Sequence, residues 1–268
     1  MIILFHVYVT QFADCTKLAI KRPSQSQFFS NFAVTNIPFT MKIPQDIIKR
    51  EPQQVLDLFT FWYDIMDRKV DFWPLKGEFD IHTEGHCERV LLLALKIGAR
   101  RRLSDRQMEA LCHASIFHDT RRLNNYLDKG HGERAACYYK EEARQMGITF
   151  LPEAYAAIRF HDQDDKDGEA FIKERTTNDT EGHEGNDLGT AEAWTEVFRD
   201  FKDADALDRL RMGPWTLDER FLRTEEAKGL IGFAQELVDN TMSNEEYKKI
   251  TDATRPFADK FSNKDKEK

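Results

Sequence analysis

The sequence predicts an all-α protein, a helical bundle, and three observations carry that expectation. Apolar residues recur at the spacing of a helix face over most of the chain from residue 44 onward. Glycine (13), proline (8) and valine (eight) are sparse in 268 residues, whereas a large β-sandwich needs β-branched strands and many turns. Helix punctuation also falls at the edges of the periodic stretches: Ser104 and Gln107 form a capping-box pattern, and Gly147 stands where one stretch stops.

Taken in order, residues 1–40 stand apart. MIILFHVYV is apolar but lacks the basic region and cleavage site of a signal peptide, and RPSQSQFFSNFAVTNIPFT has no helical period. They read as an irregular extension, either a loosely attached arm or a stretch upstream of a start at Met41. The bundle is expected over 41–261. Residues 45–68 carry Ile47, Val55, Leu58, Trp62 and Ile65 at helical spacing, with a break at Pro52. A loop with Pro74 and Gly77 leads to a helix over about 82–101, where His86, Val90, Leu93 and Ile97 form one stripe. The helix capped by Ser104 places Met108, Leu111, Cys112 and Ser115 together, and His118–Asp119 extend that stripe. Helices follow over 131–146 and 152–161. Residues 162–189 hold ten acids, three bases and four glycines, and read as a long polar loop or lid. Helices resume over about 190–212, 225–240 and 244–260, and the tail 262–268 is expected to be disordered.

Charge and composition exclude several classes. The net charge of −8 disfavours general binding to duplex phosphate backbone. No stretch approaches 18 consecutive apolar residues, so no membrane span is expected. Cys15, Cys87, Cys112 and Cys137 are far apart and form no CxxC pair. They read as reduced thiols within helices of a cytoplasmic protein.

The chemistry-bearing residues sit at helix edges. His82 and His86 are four apart, but the zincin pattern HExxH fails because Thr83 follows His82. The acids of DQDDKDGE fit no EF-hand register. His118–Asp119, His131, His161 and Asp205 each extend an apolar stripe, and Asp205 shares a helical face with Asp208, with Asp203 off that face. Imidazoles and a carboxylate in a core are costly unless paired, and a divalent metal such as Zn, Fe, Mn, Co or Ni pairs them well.

The ordered set resembles the HD-domain superfamily of metal-dependent phosphohydrolases. The matching pieces are H-x-x-R-V (His86 to Val90), His118–Asp119, HDxxR…D…HG (Arg122, Asp128, His131, Gly132), I-x-x-H (Ile158 to His161) and DADxLD (Asp203 to Asp208), over about half the chain. The resemblance implies core helices converging on a metal held by His86, His118, Asp119 and Asp205. His131 and His161 stand where two-metal members hold a second ion; the alternative is that both contact phosphate in a one-metal site. It implies a divalent cofactor (Mn, Fe, Co, Ni, Zn or Mg), catalytic roles for Asp119 and for Arg122 as a phosphate contact, and a small phosphorylated substrate such as a nucleotide. Arg121 is expected to be solvated, and Arg100–Arg102 to be structural. HDTRRL departs from the HDxxED of the (p)ppGpp-hydrolase branch and the HDxxE of the nucleotidase branch, and no GYP-type signature is present. The motif therefore names no substrate. A single-strand nuclease and a silent ligand-binding HD module are the alternatives.

Overall fold

The structure is a computed structural model that describes residues 41–75, 81–178 and 189–258. The expectations for 1–40 and 262–268 lie outside those residues. Among the described residues there are eleven α-helices and no strands: the chain is an all-α bundle.

Pro52 separates α1 (Gln45–Ile48) from α2 (Gln53–Lys69), as its missing N–H predicts. The central element is α3 (Glu84–Arg101), which packs against α2, α4 (Asp105–Phe117) and α8 (Ala191–Leu207). Every residue from Val90 to Leu95 on α3 is fully buried. A helix that is apolar all round belongs in a core, and burying each leucine stabilises the fold by roughly 1.5–3 kcal/mol. The capping box of α4 forms as expected: Ser104 accepts from Gln107 N while the Gln107 side chain accepts from Ser104 N. Helix α5 (His131–Met146) pairs with α6 (Pro152–Phe160), and Gly147 ends α5 in the left-handed conformation at φ 77°.

The polar segment 162–189 departs from expectation. It is not one long loop: α7 (Asp165–Asn178) occupies its first half and packs against α6 and α8. Residues 179–188 lie outside the described ones. The buried face of α7 is narrow. Ile172 is buried, Phe171 packs beside it, and Gly168 lets the Phe198 ring approach so closely that a Cβ there would lie 2.4 Å from it. Asp165 adds ion pairs to Lys202 (2.8 Å) and Arg223 (2.7 Å). A lid reading of this half is overturned, because the segment is part of the packed body.

Three further boundaries shift. Helix α8 ends at Leu207 and tightens into a 3-10 stretch over Asp208–Met212. The expected helix 225–240 divides into α9 (Glu225–Lys228) and α10 (Ile231–Thr241), with Arg100 Nη1 donating to Glu226 O near the break. Helix α11 (Asn244–Thr254) stops just before Pro256, which has no N–H to continue it.

Candidate metal centre

Five helix ends converge. His86 lies in the first turn of α3, His118 is the C-cap of α4 with Asp119 next, and His131 opens α5 after Gly130, which is left-handed at φ 82°. His161 is the C-cap of α6, and Asp205 lies in the last turn of α8. All six expected ligands come together in two clusters joined by Asp119.

In the first cluster, His86 Nε2 lies 3.0 Å from His118 Nε2, 3.5 Å from Asp119 Oδ2 and 3.2 Å from Asp205 Oδ1. In the second, His131 Nε2 lies 2.8 Å from His161 Nε2 and 3.1 Å from Asp119 Oδ1, and His161 Nε2 lies 3.6 Å from the same oxygen. Adjacent donors around a metal at ordinary bond lengths are separated by roughly 2.9–3.4 Å, so both sets are near ligand spacing.

Backbone carbonyls fix three of the tautomers. His118 Nδ1 faces Ser115 O (3.0 Å), His131 Nδ1 faces Asp128 O (2.6 Å) and His161 Nδ1 faces Ile158 O (2.7 Å). Carbonyls only accept, so each Nδ1 carries the proton. His86 Nδ1 likewise donates to Asp208 Oδ2 at 2.7 Å, because Asp208 is held ionised: burial pushes its carboxyl up, but Arg89 and His86 outweigh this and hold it below the usual range. With each Nδ1 donating outward, each Nε2 is the ring atom turned to the cluster. Burial pushes His118 down to about 3, so it is neutral at pH 7. Burial also pushes Asp119 and Asp205 up, but the imidazoles outweigh it and hold both carboxyls well below the usual range. Four imidazoles and two carboxylates on helix ends could hold a metal ion.

Neighbouring residues orient the donors. Arg89, three residues after His86, holds Asp208 with two hydrogen bonds of 2.6 and 3.0 Å, so the H-x-x-R pattern is a positioning device for His86. The edge of Phe201 packs on His118 and His161, with ring centroids 5.3 and 6.1 Å away. At Gly132 a Cβ would fall 2.7–2.8 Å from Asp162 Oδ1 and the carbonyls of Ile158 and Arg159. The glycine thus brings the start of α5 onto the end of α6, and His131 onto His161. Asp203 lies off the metal face as expected. It accepts from the backbone N–H groups of Arg223 and Thr224, each at 2.9 Å, and fastens that segment to α8.

No protein-family model, curated protein or solved structure matches this chain.

The candidate phosphate cations fare differently. Arg122 is buried, with Nε and Nη2 donating to the carbonyls of Asn124 (3.3 Å) and Tyr126 (2.8 Å). Its Nη1 lies 3.0 Å from His131 Nε2 and 3.4 Å from Asp119 Oδ1. Arg121 is buried rather than solvated: it donates to Asp71 O and stacks over Tyr138, 3.3 Å from the ring centroid. Lys202 is engaged by Asp165 and by Gln163 O (2.6 Å). Arg100–Arg102 is structural, as expected, with Arg102 forming the left-handed C-cap of α3.

His82 is the residue that sequence reasoning missed. It precedes α3 instead of sharing its face with His86, since Thr83 is the N-cap. Its Nδ1 lies 3.0 Å from Asp119 Oδ2 and 3.1 Å from Nη2 of the buried Arg211. The only signal was the histidine itself, in a turn next to a ligand.

Proposed function

We propose that this chain is a metal-dependent phosphohydrolase of the HD kind, acting on a phosphate ester of a nucleotide or a similar small molecule. The observation that carries the reading is Asp119, whose Oδ2 faces the first histidine pair and whose Oδ1 faces the second. His86, His118, Asp119 and Asp205 would hold one ion, and His131 and His161 with Asp119 a second. The chemistry such ions supply is a water of lowered pKa and charge stabilisation at phosphoryl oxygens.

The chain's own residues do the rest. Asp208 and Arg89 fix the His86 ring, the carbonyls of residues 115, 128 and 158 fix the other three tautomers, and Phe201 keeps water from their far side. Arg122 turns one amino group, Nη1, towards the centre, 3.0 Å from His131 Nε2, and would exchange that nitrogen for a phosphoryl oxygen when an ion takes the nitrogen. Hydrolysis forms a bond from water oxygen to phosphorus as the ester P–O bond breaks, and the proton the water loses goes to the leaving oxygen, so the products are an alcohol and inorganic phosphate. The net charge of −8 argues against a long polyanion as substrate. The widely spaced cysteines of the sequence, with no CxxC pair, support a cytoplasmic setting. Among the described residues no helix is long and apolar enough to cross a membrane.

The test is phosphate release from a nucleotide panel by protein loaded in turn with Mn, Co, Ni, Zn and Mg, with Asp119→Asn as control. Release by the native chain and none by the variant supports the reading. Bound metal without release from any ester favours a silent HD module.

A further inference from the structure

Residues 123–127, between the HD turn and α5, expose three large apolar side chains in five positions: Leu123 at 57%, Tyr126 at 77% and Leu127 at 84%. The other exposed large hydrophobics among the described residues, Trp73, Phe150, Phe221 and Phe257, are scattered along the chain. The loop backbone is held in place. Asp128 Oδ2 accepts from Leu123 N at 2.7 Å and from Arg134 Nη2 at 2.6 Å, and Asn124 Oδ1 accepts from Tyr126 N at 2.8 Å. Arg122 donates to the carbonyls of Asn124 and Tyr126. Single exposed leucines are ordinary, but a clustered apolar patch on a fixed backbone marks a binding surface.

Its location says what it binds. The guanidinium that donates to Tyr126 O also sets Nη1 3.0 Å from His131 Nε2. The loop is thus one guanidinium away from the second histidine pair. We infer that loop 123–127 recognises the group esterified to the phosphate, and that this group carries a flat apolar ring, as a nucleobase does. Tyr126 offers an exposed stacking face, and Leu123 and Leu127 are exposed on the same loop. Stacking is tolerant of base identity, so the loop selects for a ring rather than for one base. The inference rests on the phosphohydrolase reading for the position of the phosphate, but its test does not require turnover.

Calorimetric titration of the metal-loaded full chain would compare adenosine 5′-monophosphate with ribose 5-phosphate, which carries the same phosphate without a base. The nucleotide should bind at least about tenfold more tightly. Tyr126→Ala should weaken nucleotide binding by about five- to a hundredfold, leave ribose 5-phosphate and metal content unchanged, and be rescued by Tyr126→Phe. Equal affinity for the two probes, or an equal loss for both in Tyr126→Ala, overturns the inference. So does a paired Leu123→Ser, Leu127→Ser variant that turns a dimer into a monomer while nucleotide affinity holds, because a second copy would then cover the loop. Base discrimination without phosphate release upholds the recognition role while the hydrolase reading fails.

Discussion

His86 and Asp208 share a buried hydrogen bond of 2.7 Å, and Arg89 grips the same carboxylate from the other side. The bond sets the His86 tautomer, so that Nε2 is the free donor facing His118 and Asp205. Asp208→Asn keeps the shape but replaces a charged acceptor by a neutral one. Loss of such an orienting partner typically weakens metal affinity by about 10–100-fold. Competition with a chromophoric chelator measures it, and unchanged affinity would separate Asp208 from the metal centre.

Gly132→Ala tests the second cluster alone. The added Cβ would meet two carbonyls and Asp162 Oδ1, and backbone cannot move aside cheaply. The start of α5 should shift, parting His131 from His161 while His86 and His118 keep their places. The expected variant folds, holds one ion instead of two, and loses about 1–3 kcal/mol of stability. Metal analysis with urea unfolding reads both effects.

Asp200 predicts a pH dependence. Its carboxylate is buried on α8, 3.0 Å from Arg101 Nε, yet neither oxygen accepts a hydrogen bond. Burial pushes the carboxyl up to about 7; Arg101 opposes this, and Asp203, Glu196 and Glu226 add to it. The folded pKa is above the unfolded one, so the folded state binds the extra proton between about pH 4 and 7. Stability from this group is full below pH 4 and is lost as pH rises through 7. Asp200→Asn resembles the protonated form. Relative to the native chain it should be neutral near pH 4 and about 2–4 kcal/mol more stable at pH 8. Denaturant unfolding at the two pH values checks the sign, and a difference that does not grow with pH would contradict it.

The six clustered residues were legible because each histidine or aspartate extended an apolar stripe, and a polar group on a core face needs a partner. The helices were legible where the stripe was wide, as on α3 and α4. Helix α7 was hidden because its buried face is thin, with Ile172, Phe171 and a glycine among many charges, so composition resembled a loop. His82 was hidden because it belongs to a turn and is fixed by Arg211, 129 residues away. The orienting role of Asp208 was hidden for the same reason: its partners, His86 and Arg89, lie on another helix. Arg121 looked like a surface charge because Tyr138, the ring it stacks on, comes from α5.

Asp119 joins the two proposed metal sites, and elemental analysis of metal per chain tests this. At saturating metal the native protein should hold two ions, His131→Ala one, and Asp119→Ala none held tightly, with helical circular dichroism retained throughout. Two ions retained in Asp119→Ala, or no ion bound by the native chain under any metal, would contradict it.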